Sequence, residues 1–139
     1  MNDLSELDAA KAYAKAWNQL DAESLVDLIS DEACYASQWV LDELEGKQAV
    51  LDHLRRKMRA VAASSITDSG NRPFAELVIT QLGEPGRNAV GLTVPGSDQL
   101  DCMVLLGVSE SKINRIDICM IELYAPKQSG NYPGRSSAE

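Results

Sequence analysis

The sequence is poor in the residues that build metal sites and disulfides. It has one histidine, His53, and three cysteines, Cys34, Cys102 and Cys119, with no Cys-x-x-Cys spacing. An odd number of scattered cysteines does not make a disulfide framework, and a single imidazole without clustered carboxylates does not make a zinc site. We therefore expect no metal and no cofactor, and we interpret the cysteines as small buried hydrophobes in a reducing cytoplasm.

Positive charge and long apolar runs are also scarce. There are 13 Lys and Arg residues against 21 Asp and Glu residues, which gives a formal net charge of -8. An acidic surface repels phosphate backbones and anionic lipid, and the apolar runs are shorter than the roughly 18 residues that a membrane span needs. Residues 1–4 have neither the basic nor the apolar part of a signal peptide. We expect a cytoplasmic protein with no nucleic-acid or membrane partner.

The first half of the chain has helical periodicity. Ser5 and Asp8 have the spacing of a capping box, and apolar residues follow at helical intervals as far as residues 18–20. Asp21 can cap a second helix with an apolar face of Leu25, Leu28 and Ile29. A third helix is predicted after Gly46. Its basic residues are interpreted as a solvated face: Arg55, Arg56, Lys57 and Arg59.

Strands dominate the second half. One is predicted at residues 33–40, before the third helix, and four follow it, at residues 74–82, 88–95, 100–108 and 112–123. Short turns between them make an antiparallel meander, so the fold class is α+β. We predict one domain over residues 1–124, and a mobile tail over residues 125–139, which are rich in Pro, Gly and Ser.

Three local patterns follow one another in an order that resembles the nuclear transport factor 2-like superfamily of SnoaL-like cyclases and ketosteroid isomerases, also called cystatin-like. Residues 16–21 (Ala-Trp-Asn-Gln-Leu-Asp) are similar to its signature at the end of the first helix. Residues 46–50 (Gly-Lys-Gln-Ala-Val) resemble the start of its third helix, and residues 111–116 resemble its final hairpin, with Ser in place of Gly. The resemblance implies three N-terminal helices packed on a strongly curved, mainly antiparallel sheet, which forms a cone with a central pocket.

The resemblance to ketosteroid isomerases suggests two catalytic residues. Those enzymes use a Tyr on the first helix, a carboxylate base on the first strand and a protonated Asp on a later strand. Tyr13 and Asp101 match the Tyr and the later Asp, but Ser37 stands where the base should be. A hydroxyl group does not abstract a proton from carbon unaided.

Limonene epoxide hydrolases provide a second comparison within the same superfamily. Tyr35 and Ser37 match their Tyr and Asn pair, Asp101 matches their first Asp, and Gln99 replaces their Arg. Glu122 can take the place of their last carboxylate. Asp101 and Glu122 would then divide the roles of acid and base, since such a pair needs one protonated and one ionised carboxyl.

The implied site therefore has a catalytic and a ligand-binding part. The catalytic candidates are Asp101, Glu122 and Tyr13. The ligand-binding candidates are Tyr35, Ser37, Trp39, Gln99, Met120 and Trp17. Strand alternation predicts that residues 35, 37 and 39 point into the cone. Each catalytic candidate also has an ordinary interpretation: Tyr13 as a core tyrosine, Asp101 as a solvated strand end and Glu122 as a rim residue.

Two functions remain open at this point. One is a cofactor-free isomerase, cyclase or epoxide-hydrolase-like enzyme that acts on a small apolar molecule. The other is a non-catalytic ligand-binding or dimerisation module of the same fold.

The last predicted strand suggests a homodimer through the outer sheet face. If Ile116 and Ile118 fill the cone, Arg115 and Asp117 lie outside, where they would pair between subunits. Several apolar residues would then share the outer face, and an exposed apolar patch usually marks an interface. These residues are Ile113, Cys119 and Ile121, with Cys102, Val104 and Leu106 from the neighbouring strand.

Overall fold

A computed structural model describes residues 4–37, 40–64, 75–83, 85–93 and 100–134, with side chains except at residues 40–42 and 62–64. Two α-helices and seven strands lie within these ranges. In chain order they are α1 (Glu6–Gln19), β1 (Ile29–Ser37), β2 (Val40–Glu45), α2 (Lys47–Ser64), β3 (Ala75–Ile79), β4 (Asn88–Leu92), β5 (Cys102–Ser109), β6 (Lys112–Cys119) and β7 (Lys127–Asn131). No helix in the described part of the chain is both long enough and apolar enough to cross a bilayer.

The predicted capping box at the start of α1 is confirmed. The Ser5 hydroxyl accepts a hydrogen bond from the Asp8 backbone N–H at 3.0 Å, and the Asp8 carboxylate accepts one from the Ser5 N–H at 3.4 Å. The helix ends at Leu20, which has a left-handed backbone (φ 52°). Its buried face consists mainly of small residues, so the helix can approach the sheet closely, and two large aromatic side chains project from it: Ala9, Ala10, Ala14 and Ala16, with Tyr13 and Trp17.

The predicted second helix is wrong. Residues Ala22–Leu25 form a single 3-10 turn, in which the Val26 N–H bonds to the Glu23 carbonyl, and β1 begins at Ile29. Ile29 pairs with Ile113 of β6, so a contact that is distant in sequence overrides the local helical pattern. Val40, the predicted end of the first strand, instead begins β2 (Val40–Glu45), which pairs with β1 and was not predicted.

The seven strands form one curved sheet in the order β2-β1-β6-β5-β4-β3-β7. Only the β1–β6 pair is parallel, and the other five pairs within the described residues are antiparallel. The mainly antiparallel α+β architecture is therefore as predicted, with α1 and α2 on one face of the sheet, which we call the inner face.

A one-residue irregularity in the β5–β6 pair decides which side chains of β5 reach the inner face. The pairing shifts between Gly107 and Val108, so that Leu106 lies opposite Ile116 and Val104 opposite Ile118. Without that shift, Leu106 would lie opposite Arg115, on the outer face, because a slip of one residue exchanges the faces of a strand. Our assignment of Cys102, Val104 and Leu106 to the outer face is therefore wrong: all three lie in or against the main core, which also contains Ile113.

The outer face carries a second buried cluster of five residues, against which Leu100 and Tyr124 pack: Val78, Ala89, Met103, Leu105 and Cys119. All five are buried within a single chain. Within the chain, Arg115 pairs with the carboxylates of Asp117 at 3.0 Å and Glu43 at 3.2 Å, and its pairing between subunits stays a prediction. The homodimer itself stays a prediction.

The segment that we expected to be a mobile tail contains β7, which pairs with β3 and forms the edge of the sheet. Beyond it, the carbonyl of Pro133 accepts a hydrogen bond from the Asn18 side chain at 2.7 Å. Residues 127–134 therefore contact the sheet and α1, and the mobility of this segment stays a prediction.

Asn18 joins three parts of the fold through one amide group. Its Oδ1 accepts a hydrogen bond from the Ala75 N–H at 2.8 Å, and its Nδ2 donates to the Ala75 carbonyl at 2.8 Å and to the Pro133 carbonyl. The end of α1 is thereby fixed to the first residue of β3 and to the C-terminal segment.

Replacing Asn18 by Ala should lower the free energy of unfolding by about 2 kcal/mol, because partly buried backbone groups of Ala75 lose their partner. Gln19→Ala is the matched control, since Gln19 is exposed on the solvent side and makes one long bond of 3.3 Å to Gly134. It should change stability by less than about 0.5 kcal/mol. Urea unfolding measures both, and equal losses in the two variants would contradict this role of Asn18.

Candidate functional site

Four polar side chains meet in the interior between the helices and the inner face of the sheet; we call Tyr13, Trp17, Tyr35 and Cys102 the interior cluster. Tyr13 and Trp17 are one helical turn apart on the buried side of α1. Tyr35 lies on β1 opposite Ile116, and Cys102 begins β5 opposite Leu92. The exposed fraction is 0% for Tyr13 and 7% for both Tyr35 and Trp17.

The interior cluster is kept in its protonated form. Burial raises the pKa of Tyr13 well above its usual value, and the neighbouring Tyr35 and Cys102 add to this shift. Burial, followed by Cys102, raises the pKa of Tyr35 to about 12. Burial and the charge of Asp101 raise the pKa of Cys102 to about 11, although Lys57 opposes the shift. At neutral pH all four side chains are therefore uncharged and carry a hydrogen to donate.

Two of these donors have no partner among the described residues. The Tyr13 hydroxyl and the Trp17 Nε1 are both fully shielded from solvent and make no hydrogen bond there. The Trp17 indole does lower the pKa of Tyr13, so the two groups are neighbours, but their geometry falls short of a hydrogen bond. A buried polar group without a partner costs about 1–3 kcal/mol. An acceptor atom placed between them would meet two donors.

His53 closes one side of the interior cluster. Its ring packs on Tyr35 with the ring centroids 4.6 Å apart and the planes tilted by 60°. Burial, with Lys57 and Arg56 next in effect, lowers the pKa of His53, so the imidazole is mostly neutral at pH 7. No pattern in the sequence predicts this ring contact.

The predicted carboxylates are not in the interior. Asp101 is exposed immediately before β5, where its backbone N–H donates to the Leu92 carbonyl at 2.8 Å. Asp101 therefore matches its ordinary interpretation as a solvated residue at the strand end, because β5 begins at Cys102, two residues later than the predicted strand. Glu122 is also exposed, in a 3-10 turn (Ile121–Leu123) that replaces the predicted end of the last strand.

The predicted ligand-binding residues do not all lie in the interior cluster. Tyr35 and Trp17 belong to the interior cluster, and Ser37 is half-buried at the end of β1, opposite Ile118 on the inner face. Met120 is half-buried just after β6. Trp39 and Gln99 lie outside the described residues. The structure thus brings together Tyr13, Trp17 and Tyr35 and adds Cys102, which we had taken for a simple hydrophobe.

Two surface clefts are lined wholly by described residues, and neither contains the interior cluster. One, of about 270 Å³, lies between the 3-10 turn and α2, where Arg55 pairs with Glu23 at 2.5 Å and with Asp52 at 3.0 Å. The other, of about 500 Å³, lies at the start of β1 and contains charges of both signs. The described residues include no cluster of His, Cys, Asp or Glu arranged to hold a metal ion.

Comparison with known proteins identifies the fold. No protein-family model and no curated protein sequence matches the chain. Among solved structures, a SnoaL-like protein of unknown function from Burkholderia thailandensis is 13% identical, with a TM-score of 0.55 over 93% of this chain and 100% of that one. A proposed ketosteroid isomerase from Kribbella flavida is 18% identical, with a TM-score of 0.52 over 81% of this chain and 75% of that one. An NTF2-like protein of unknown function from Cytophaga hutchinsonii is 9% identical, with a TM-score of 0.52 over 86% of this chain and 92% of that one.

The chain therefore has the nuclear transport factor 2-like fold, as the sequence patterns predicted. Identities this low show the fold alone, and this fold does not by itself determine a function.

Alkaline pH should destabilise the protein in part through Tyr35. The unfolded residue ionises near pH 10.0 and the folded one near pH 12, so the stability present below pH 10.0 is lost as the pH rises toward 12. In Tyr35→Phe the loss of stability that comes from ionising Tyr35 should disappear. Urea unfolding at a series of pH values measures the free energy of unfolding of both proteins. Tyr132→Phe, outside the interior cluster, should keep the wild-type pH dependence. A Tyr35→Phe variant with the wild-type dependence would contradict the burial of this phenol.

Proposed function

We propose that the chain is a binding domain for a small, largely apolar molecule with a hydrogen-bond acceptor, and that this ligand lies against the interior cluster. One observation carries the proposal: the Tyr13 hydroxyl and the Trp17 indole N–H are buried side by side without partners among the described residues. Buried polar groups are normally satisfied, and an exception calls for an explanation such as a ligand.

The surroundings of the interior cluster support a neutral and mostly apolar ligand. The inner face contributes aliphatic side chains around it: Val104, Leu106, Ile116 and Ile118. Ligand sites are typically apolar with a few placed polar groups. All four polar groups of the cluster can donate a hydrogen bond, and none is charged at neutral pH, so they favour a neutral ligand with a carbonyl or ether oxygen.

Tyr13→Phe should have opposite effects on stability and on binding. Without ligand, removing an unpaired buried hydroxyl should leave the free energy of unfolding unchanged or raise it by about 1 kcal/mol. Binding of acetylnaphthalene, whose carbonyl would accept from Tyr13, should weaken about tenfold, which is one hydrogen bond. Chemical unfolding and titration calorimetry measure the two effects.

Ethylnaphthalene, which has the same shape without the carbonyl, is the matched control ligand, and its affinity should be the same for both proteins. A Tyr13→Phe variant that loses more than about 1 kcal/mol of stability without ligand would show that the hydroxyl already has a partner. A variant that binds both probes as the wild type does would remove Tyr13 from the site.

Catalysis is the second candidate function, and the position of Asp101 favours it. Asp101 is exposed but immediately precedes Cys102, and its charge raises the pKa of that thiol, which supports a role for the carboxylate near the interior cluster. From there Asp101 would act as a general base on a carbon acid, and the neutral Tyr13 would donate to the developing oxyanion. Glu122 is the remaining candidate for a second carboxyl group.

Deuterium incorporation into the methyl group of acetylnaphthalene tests this reaction. In D2O the base removes a proton from the carbon next to the carbonyl, and a deuteron from solvent replaces it. Asp101→Asn should abolish protein-dependent incorporation while acetylnaphthalene still binds. A wild-type protein that binds the ketone without exchanging its methyl hydrogens is a binding module only.

A further inference from the structure

The strand β7 lies at the edge of the sheet without contributing to either core. All five of its residues, Lys127–Asn131, are exposed. It pairs with β3 through an irregular register that shifts between Leu77 and Val78. Its attachment therefore depends on hydrogen bonds and not on the burial of apolar side chains.

A buried carboxylate organises this attachment. Glu76 of β3 has only 2% of its surface exposed. Its Oε1 accepts a hydrogen bond from Gln128 Nε2 at 2.9 Å, and its Oε2 accepts one from the Gly130 N–H at 2.6 Å. Gly130 has a φ of 77°, a left-handed conformation that glycine adopts readily and that turns its N–H toward the carboxylate. Hydrogen bonds to a charged group are about twice as strong as neutral ones.

The segment after β7 is held on α1. The side chains of Asn18 and Gln19 donate to the carbonyls of Pro133 and Gly134 at 2.7 and 3.3 Å. Gly134 lies so close to Lys15 that a Cβ atom there would be 2.7 Å from the Lys15 Cγ. Its φ of 82° also disfavours any residue with a side chain.

We propose that residues 127–134 form a detachable strap, which opens as a unit while the rest of the domain stays folded, and that Glu76 sets how often it opens. Opening exposes no apolar side chain of β7, and in the rest of the strap it uncovers only the half-buried Tyr132 and Pro133. It also leaves β3 paired with β4 along its whole length, from Ala75 to Ile79. Segments held by few buried apolar contacts are the ones that open locally in native proteins.

The strap connects the sheet edge to the helix that carries the interior cluster. When it opens, the outer edge of β3 loses its neighbour, and Asn18, which directly follows Trp17, loses its bond to Pro133. The strap is thus a conformational element whose closed form braces the end of α1.

Amide hydrogen exchange in low concentrations of urea tests the proposal on the full chain. The Gly130 amide should exchange faster than the Val104 and Leu106 amides of β5, and its rate should be nearly independent of urea, because local opening exposes little surface. Glu76→Gln should speed exchange at Gly130 about tenfold, since one hydrogen bond and the charge of its acceptor are lost.

Two further variants make the result unambiguous. Gly134→Ala acts at the other end of the strap and should also speed exchange at Gly130, so the test stands even if Glu76→Gln does not fold. Lys127→Ala, which removes an exposed side chain of the same strand, should leave the rate unchanged. The proposal is overturned if Gly130 and the β5 amides share one rate and one urea dependence in the wild type. It is equally overturned if neither Glu76→Gln nor Gly134→Ala changes exchange at Gly130.

Discussion

The need of buried polar atoms for a partner is the constraint on which this structure and its proposed function depend. The packing of α1 on the sheet buries the Tyr13 hydroxyl and the Trp17 indole N–H together with the apolar side chains of the helix. The fold tolerates the cost of these two donors, about 1–3 kcal/mol each, from a total stability that is usually only 5–15 kcal/mol. Such a cost is typical of functional sites, where stability is given up for an interaction with something else.

The rest of the architecture holds these donors in place. The alanines of α1 allow the helix to approach the inner face, and Asn18 fixes its end to β3 and to the strap. On the opposite side of the interior cluster, Tyr35 is held on β1 between Ile116 and the ring of His53. A ligand would therefore meet groups carried by a helix and two strands, which hold side chains more rigidly than loops do.

Local sequence patterns predicted the elements that are determined by residues close together in the chain. The capping box at Ser5 and the helix after Gly46 appear where they were expected, and the four strands predicted in the second half pair antiparallel in the predicted order. The 3-10 turn at Ala22–Leu25 was missed because the pairing of Ile29 with β6 decides it. β7 was missed because its anchors, Glu76 and Asn18, are distant in sequence and its own residues resemble a loop.

The candidate site was only partly predictable for the same reason. Tyr13, Trp17 and Tyr35 follow from helical and strand periodicity, which is a local property. The inward position of Cys102 depends on the one-residue shift near Gly107, and no sequence pattern marks that shift. The exposure of Asp101 follows from where β5 begins, and strand ends are the least reliable part of a prediction from sequence.

If the donors on α1 have no partner until a ligand binds, the indole N–H resonance of Trp17 reports directly on their state. We would assign this resonance in a nitrogen–proton correlation spectrum by comparison with Trp17→Phe. We expect an indole proton at a position typical of an unbonded N–H, which moves further downfield with acetylnaphthalene than with ethylnaphthalene, the control for the ring-current effect of the naphthalene. A Trp17 resonance that is already hydrogen-bonded in the free protein, and that neither molecule shifts, would contradict it.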